Sequence, residues 1–253
     1  MRIYSRLKRL RLQQRKSILN KQDLVSKLRG KFIVLDGPDG CGKTTQIKLL
    51  AEHLKKKGVE VVTTHDPGGT KIGDQIRQLL KYGAKGNMDV HTETMLFMAS
   101  RAQLVAEVVR PALEKSKTVF CDRFISSTCA YQGSSGYPIE KIIELGRFAV
   151  EDVWPHLTII IDVPAEEGRE RTGQKRYQKS KTNHKDSNQN YLFESVTPDR
   201  FDSRTLDYHR KVRTWFLRLE KNYPGIVKVV DGTSANIETV HERIKQIILE
   251  TDF

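Results

Sequence analysis

Short runs of apolar residues alternate along the chain with longer segments in which apolar residues recur every three or four positions. The short runs are typical of β-strands buried on both faces, and the longer segments are typical of amphipathic helices. The predicted strands are 32–35, 59–63, 118–121, 157–161 and 226–230, and the predicted helices are 46–57, 72–81, 92–114, 140–153, 204–220 and 237–249. This alternation predicts an α/β fold in which a five-stranded parallel sheet is flanked by helices on both faces.

A glycine-rich segment directly follows the first predicted strand, where residues 37–44 read Gly-Pro-Asp-Gly-Cys-Gly-Lys-Thr. This is the G-x-x-x-x-G-K-[ST] phosphate loop, placed between a strand and a helix as the motif requires. Backbone N–H groups of such a loop bind phosphate oxygens, Lys43 supplies a positive charge, and Thr44 supplies a hydroxyl ligand for Mg²⁺. The predicted residues for ATP phosphates are Gly37, Pro38, Asp39, Gly40, Cys41, Gly42, Lys43, Thr44 and Thr45.

Two further polar segments follow predicted strands. His65, Asp66 and Pro67 come after the second strand, and Asp122 and Arg123 come after the third. Because the carboxyl ends of parallel strands lie at one edge of a sheet, we expect both segments beside the phosphate loop. Asp122 is there a candidate to assist Mg²⁺, directly or through water, and Arg123 is a candidate to hold phosphate oxygens. The structural alternative is an Asp–Arg pair that only closes the end of a strand.

The positive charge of the chain is concentrated in two places. The 253 residues carry a formal net charge of +13, and residues 1–30 hold ten Lys or Arg against a single Asp. A second basic stretch covers residues 169–185. We therefore predict a basic extension over 1–30 and a single domain over 31–253. The extension could contact nucleic acid or a membrane surface, act as an organelle transit peptide, or serve as a solubilising tail.

No apolar stretch is long enough to predict a transmembrane segment. The three cysteines lack the C-x-x-C spacing of a zinc site and do not suggest a disulfide framework. We expect a cytoplasmic protein, or an organellar one if residues 1–30 are a transit peptide.

The order of several motifs along the chain is more specific for a protein family than any one of the motifs alone. The motifs are residues 32–45, His65-Asp66-Pro67-Gly68-Gly69-Thr70, Phe97-Met98-Ala99-Ser100-Arg101, Asp122-Arg123-Phe124, Ser127-Thr128-Cys129-Ala130-Tyr131-Gln132-Gly133 and Pro198-Asp199-Arg200-Phe201-Asp202. In this order they closely resemble the thymidylate kinase family, from about residue 31 to residue 249. The Pro-Gly-Gly-Thr and Ala-Tyr-Gln-Gly signatures are far more specific than the phosphate loop, which many unrelated proteins share.

The resemblance implies a P-loop nucleoside monophosphate kinase that transfers the γ-phosphoryl group of ATP, bound with Mg²⁺, to dTMP. The products would be dTDP and ADP, and the protein would be a homodimer. The resemblance also implies a lid at about 171–203 and an adenine site near 231–236. The subtype would be the one with Gly rather than Arg in the phosphate loop and basic residues in the lid.

The resemblance also implies a role for individual residues. Phe97 would stack on thymine, Arg101 would bind its exposed carbonyl, Thr128 would reach the base edge, and Tyr131 would crowd the 2′ side of the sugar. The implied dTMP-binding residues are Asp39, Asp66, Pro67, Arg77, Phe97, Arg101, Arg123, Thr128, Tyr131 and Gln132. The implied catalytic residues are Lys43, Arg123, Asp39, Arg171 and Arg200.

Several positions depart from the family pattern. His65-Asp66 stands where the family usually has Arg-Glu, Ser126 stands where it often has Asp, and the lid carries extra residues. Losing the family Arg removes a permanent cation next to the phosphate loop. The extra lid residues leave the assignment of Arg176 open.

Three other functions fit parts of the sequence. One is a kinase for another nucleoside monophosphate, and another is a nucleic-acid-binding protein acting through the basic extension. The third is a GTPase, because Asp66-Pro67-Gly68-Gly69 fits D-x-x-G and Asn20-Lys21-Gln22-Asp23 fits N-K-x-D. However, no clear strand precedes Asn20, and a GTPase leaves the Ala-Tyr-Gln-Gly signature unexplained.

Overall fold

A five-stranded parallel sheet is the centre of the computed structural model, which describes residues 24–83, 88–173, 201 and 204–253. The strands lie in the order β2-β3-β1-β4-β5, and every neighbouring pair is parallel. Their bounds are Phe32–Asp36 for β1, Val61–His65 for β2, Thr118–Asp122 for β3, Leu157–Asp162 for β4 and Val227–Asp231 for β5. The predicted α/β class and the five parallel strands are confirmed, with β2 starting two residues later than expected.

The central strands β1, β3 and β4 are buried over almost their whole length because both faces of the sheet are covered there, whereas the edge strands β2 and β5 are partly exposed. Successive β1 side chains alternate between two cores, with Phe32 and Val34 in one and Ile33 and Leu35 in the other. All four are fully buried. This explains why the central strands have continuous apolar runs rather than the alternation of a half-exposed sheet.

Ten helices surround the sheet in the described residues. They are α1 Leu24–Leu28, α2 Lys43–Lys56, α3 Lys71–Tyr82, α4 Val90–Leu104, α5 Arg110–Glu114, α6 Ile125–Ser134, α7 Ile139–Val150, α8 over 165–173, α9 Leu206–Asn222 and α10 Ile237–Glu250. None of them is long and apolar enough to cross a membrane.

Three helical features differ from the sequence prediction, one of which is that helix α8 over 165–173 was not predicted. The expected single helix over 92–114 is divided by a π-helical turn at Val105–Val109, directly before Pro111, whose ring nitrogen has no N–H to donate. Helix α6 was not predicted at all. Its residues 125–133 are all buried, so it lacks the polar face that identifies an amphipathic helix.

The end of the predicted basic extension packs onto the domain. Leu24 and Leu28 of α1 are buried in the same core as α2 and α10, and the Leu28 carbonyl accepts a hydrogen bond from Thr118 Oγ1 at 2.7 Å. Lys27 Nζ donates to the Leu249 carbonyl at 3.1 Å. Residues 24–28 therefore belong to the packed domain, and residues 1–23 lie outside the described part of the chain.

Candidate active site

The phosphate loop joins β1 to α2 at the carboxyl edge of the sheet. Gly42 precedes α2 with a φ of 103°, a left-handed conformation that glycine adopts without strain. The buried Lys43 Nζ donates to the Pro38 carbonyl at 2.9 Å and to the Gly37 carbonyl at 3.2 Å. The lysine is the first residue of α2, and its ammonium group bonds carbonyls of the loop that precedes the helix. This geometry suits an oligophosphate.

Helix α8 lies directly against the phosphate loop. A Cβ at Gly40 would lie 2.1 Å from the Gly168 carbonyl oxygen, and a Cβ at Gly168 would lie 2.3 Å from the Asp39 carbonyl oxygen. Both distances are far below van der Waals contact, so two backbones meet here without room for any side chain. This contact explains why the loop has glycine at position 40.

Replacing Gly168 by Ala is expected to displace the phosphate loop. Alanine normally stabilises a helix relative to glycine by about 0.5–1 kcal/mol, but the clash with the Asp39 carbonyl should reverse the sign and cost about 1–3 kcal/mol. We expect a lower melting temperature and a KM for ATP raised about tenfold. Gly173→Ala is the matched control, because among the described residues no atom lies within 4 Å of a Cβ there. Equal melting temperatures for the two variants would contradict the proposed contact.

Thr44 and Asp122 form the part of the site that could hold a metal. Thr44 Oγ1 donates a hydrogen bond to Asp122 Oδ2 at 2.6 Å, which brings the hydroxyl and the carboxylate of two elements together beside the loop. Oxygen ligands of this kind suit Mg²⁺, which is commonly bound through few protein groups. The described residues contain no cluster of three or more His, Cys, Asp or Glu side chains suited to a metal. The pair therefore fits Mg²⁺ held mainly by phosphate and water.

Arg123 is the central cation of the site. Its backbone φ is 70°, and Nη1 donates to the Gly37 carbonyl at 3.1 Å and to Ser127 Oγ at 3.0 Å, while Nη2 bonds Asp39 Oδ1. The guanidinium carbon also lies 5.2 Å from the centroid of the Tyr131 ring. These contacts fix Arg123 between the phosphate loop and α6.

Asp36 supports this arrangement and was not among the predicted site residues. It is fully buried at the end of β1 and accepts hydrogen bonds from Ser126 Oγ at 2.5 Å and Ser127 Oγ at 2.7 Å. Arg123 Nη1 lies 3.4 Å from Asp36 Oδ1. The available sequence signal was a charged residue ending an otherwise apolar strand. Ser126, one of the departures from the family pattern, thus serves to bind this carboxylate.

Asp39 is held in its ionised form. Burial alone would raise its pKa, but the charges of Arg123 and Lys43 and the hydrogen bond from Tyr131 lower the pKa to about 2. The Tyr131 hydroxyl donates to Asp39 Oδ2 at 2.9 Å, and the Asp39 side chain remains 37% exposed. At neutral pH Asp39 is therefore a carboxylate that can accept a hydrogen bond from a ligand hydroxyl.

An inner cavity of about 140 Å³ lies beside the phosphate loop and opens toward an outer cleft of about 830 Å³. All ten residues expected to bind dTMP line it, together with Leu80, Lys81, Ser127 and Phe201. Four residues line both the cavity and the cleft, namely Asp39, Asp66, Arg77 and Arg123. The structure therefore brings together residues that lie as far apart as 39 and 132 in the chain.

A buried ion pair forms one wall of the inner cavity. Arg101 Nε donates to Asp66 Oδ2 at 2.7 Å and Nη2 donates to Thr128 Oγ1 at 3.0 Å, with both charged side chains about 1% exposed or less. Burial raises the pKa of Asp66, and the charge and hydrogen bond of Arg101 offset this in part. Asp66 thus reaches Arg101 although the family usually has the longer Glu here. His65 lies on the outer cleft, with Nε2 3.7 Å from Asp74 Oδ1.

The predicted lid arginines are not gathered at this site in the described residues. Arg171 on α8 bonds Glu167 and donates to the Gly232 carbonyl at 3.2 Å, which places it at the turn after β5. Arg176 and Arg200 lie outside the described residues, as does the candidate guanine-reading motif at 20–23. The catalytic roles of Arg171 and Arg200 stay predictions.

Comparisons with known proteins agree on one family. A sequence model of the thymidylate kinase family matches residues 35–197. The thymidylate kinase of Syntrophotalea carbinolica is 39% identical over 211 residues, covering 83% of this chain and 91% of its own. That of Clostridium novyi is 36% identical over 218 residues, covering 86% and 97%.

A solved structure gives the same result. The crystal structure of thymidylate kinase from Ehrlichia chaffeensis superposes with a TM-score of 0.63 at 32% identity, covering 86% of this chain and 97% of that chain. The similarity in sequence and in structure extends over most of the length of each partner. On this evidence the chain belongs to the thymidylate kinase family.

Proposed function

We propose that the protein transfers the γ-phosphoryl group of ATP to the 5′-phosphate of dTMP, giving dTDP and ADP. The observation that carries the proposal is the inner cavity, where Phe97 and Arg101 lie beside the phosphate loop. An aromatic ring and a guanidinium suit a base that stacks and presents a carbonyl. Arg123 and Asp39 line both the cavity and the outer cleft, so an acceptor in the cavity would have its phosphate at the loop.

The reaction needs positioning and charge neutralisation rather than a base. A nucleoside monophosphate is already an oxyanion at neutral pH, so no proton has to be removed before attack. Arg123 and Arg77 would hold the acceptor phosphate, and Arg123 would span toward the transferred group. Lys43 would hold the β- and γ-phosphates of ATP. Asp39, ionised and facing the cavity, would accept a hydrogen bond from the acceptor sugar.

We further propose that Thr44 and Asp122 hold Mg²⁺, Asp122 directly or through water. A bound Mg²⁺ would neutralise charge on the β- and γ-phosphates. The support for this assignment is the adjacency of the two oxygen ligands next to the phosphate loop. The hydroxyl and the carboxylate come from different elements, so the packing of α2 against β3 sets their spacing.

The Arg101 side chain is expected to control use of the acceptor. In the Arg101→Met variant, kcat/KM for dTMP should fall about 10²-fold because a buried hydrogen bond to the base is lost. The KM for ATP is the internal control and should change little. The variant should also melt at a lower temperature, because Asp66 loses its buried partner at a cost of about 3–5 kcal/mol. If ATP binding alone were lost, the assignment of the base pocket would be wrong.

We also propose a homodimer formed through the helices that flank the cavity. Large apolar side chains are exposed on α4 and on α7, which packs against α4, with Phe148 on α7 at 88% and Met95 on α4 at 47%. Ile72 and Leu79 on α3 are also exposed. An apolar face of this kind is typical of an oligomer interface.

A reducing, cytoplasmic environment is part of the proposal. Its support is that Cys41, Cys121 and Cys129 are all free and buried. Burial raises the pKa of each thiol, which keeps the thiols protonated and unreactive.

A coupled assay of ADP release across several monophosphates tests the proposed activity. With Mg²⁺ and ATP we expect turnover of dTMP, weaker turnover of dUMP, and little turnover of dCMP or AMP. One methyl group in a pocket is worth only about 1–3 kcal/mol, so dUMP should not be excluded. Turnover of AMP or CMP with dTMP left unchanged would instead support a kinase for another monophosphate.

A further inference from the structure

Two neighbouring serines at the start of α6 bind the same buried carboxylate. Asp36 Oδ1 accepts hydrogen bonds from the Gly37 backbone N–H at 2.8 Å and from Ser127 Oγ at 2.7 Å. Asp36 Oδ2 accepts from Ser126 Oγ at 2.5 Å. Because Ser126 and Ser127 each donate one hydrogen bond to Asp36, the two serines can be compared directly.

The carboxylate of Asp36 sets the direction of the Ser127 hydroxyl. A carboxylate has no hydrogen to donate, so the single hydroxyl hydrogen of Ser127 lies on the bond to Asp36. The lone pairs of Ser127 Oγ remain for another donor, and Arg123 Nη1 donates to this oxygen at 3.0 Å. The direct distance from Nη1 to Asp36 Oδ1 is 3.4 Å. The hydroxyl of Ser127 is therefore the closer link between the guanidinium and the carboxylate.

The two terminal nitrogens of Arg123 face different surroundings. Nη1 bonds the Gly37 carbonyl at 3.1 Å and Ser127 Oγ, and Asp36 behind this serine lines neither the inner cavity nor the outer cleft. Nη2 bonds Asp39, whose half-exposed side chain lines both spaces. Nη1 is thus the anchored nitrogen, and Nη2 is the nitrogen on the ligand side.

We propose that Ser127 is a positioning residue for phosphoryl transfer, which holds Nη1 of Arg123 so that Nη2 is presented to the phosphate of the acceptor. This inference rests on the proposed function, in which Arg123 holds that phosphate. A guanidinium held at one nitrogen has lost rotational freedom before the ligand arrives, and such preorganisation strengthens binding without a new contact to the ligand. Asp36 contributes by keeping the hydroxyl oxygen of Ser127 available as an acceptor.

The alternative role of Ser127 is a direct contact with the acceptor, since its side chain lines the inner cavity. A phosphate oxygen needs a donor, and the hydrogen of Ser127 is already used by Asp36. The geometry therefore favours an action of Ser127 through Arg123.

Ser127→Ala and Ser126→Ala separate positioning from support of the fold. Each variant removes one hydrogen bond to Asp36, so we expect similar falls in melting temperature. Only Ser127→Ala also releases Nη1, so the Kd of dTMP from calorimetry should rise about tenfold in this variant and stay within about twofold in Ser126→Ala. The Kd of ATP should change less than about twofold in both variants. An equal Kd of dTMP in the two variants would overturn the proposal.

The Arg123→Ala background tests whether Ser127 acts through the guanidinium. Without that group, adding Ser127→Ala should change kcat/KM for dTMP by less than about twofold. A further fall of about tenfold in the double variant would indicate a direct contact of Ser127 with the acceptor and would overturn the proposal.

A second variant keeps the test decisive if Ser127→Ala fails to fold. Ser127→Cys is similar in size but offers a weak sulfur acceptor, so the Kd of dTMP should rise at least about threefold. An unchanged Kd in a folded Ser127→Cys also overturns the proposal. Wild-type turnover of dTMP, measured in parallel, tests the proposed function separately.

Discussion

Replacing Lys43 by Met is expected to reduce kcat for phosphoryl transfer by about 10³-fold while dTMP still binds. Lys43 is buried inside the phosphate loop, where Nζ bonds the Gly37 and Pro38 carbonyls. In the proposed reaction its charge would act on the phosphoryl group that is transferred, and one such preorganised donor is commonly worth about 10²–10³-fold or more. The measurement is kcat from ADP release together with the Kd of dTMP from calorimetry.

Lys56→Met provides the control for this variant. Lys56 lies at the opposite end of the same helix and is exposed, so its loss changes the net charge equally without touching the loop. We expect kcat within twofold of wild type. A loss of less than tenfold in Lys43→Met would show that Lys43 does not carry the transferred charge, and a parallel loss of dTMP affinity would show general damage to the site.

Arg123→Lys is expected to be nearly as damaging as Arg123→Ala, with kcat/KM for dTMP reduced about 10²–10³-fold in both. The planar guanidinium bonds the Gly37 carbonyl, Ser127 and Asp39 at the same time. A lysine ammonium is a point donor that cannot reproduce this fork. Charge alone is therefore insufficient, and we expect the loss to appear in both kcat and the KM for dTMP.

Arg110→Lys is the control for the arginine substitution. Arg110 forms ion pairs with Glu151 and Asp152, both largely exposed, so its replacement should change kcat/KM less than twofold. Melting temperatures separate a loss of activity from a loss of folding, because Asp36 and Asp39 lose the guanidinium beside them in both Arg123 variants and lose the positive charge as well in Arg123→Ala. Wild-type kinetics in a folded Arg123→Lys would contradict the central position assigned to this guanidinium.

Much of the fold follows from local sequence signals. Continuous apolar runs identified the three central strands because those strands are covered on both faces, and shorter apolar runs sufficed for the partly exposed edge strands β2 and β5. The phosphate loop showed that a helix follows the first strand. Helix α6 could not be predicted in the same way. Its Thr128 and Gln132 are buried against Arg101 and Glu93 of another helix, so no polar face appears along the sequence.

The site residues that belong to continuous sequence motifs could be predicted from the sequence. Residues whose hydrogen-bond partners lie far away in the chain could not. The dTMP-binding residues implied by the family resemblance all line one cavity. Asp36 was not predicted, because in the sequence it is only a polar residue at the end of an apolar strand. Its role depends on Ser126 and Ser127, which lie some 90 residues further along the chain. The contact of Gln132 with Glu93 was not predicted for the same reason, since the two residues lie 39 positions apart in the chain.

Transfer of label from [γ-³²P]ATP to dTMP is the most direct test of the proposed activity. With the purified full-length protein and Mg²⁺, we expect the label in the β-phosphate of dTDP, in amounts equal to the ADP formed. With Lys43→Met the label in dTDP at matched times should fall by about 10³-fold. Label recovered only as inorganic phosphate would indicate a hydrolase, and label recovered in another monophosphate acceptor but not in dTMP would contradict the assigned base pocket.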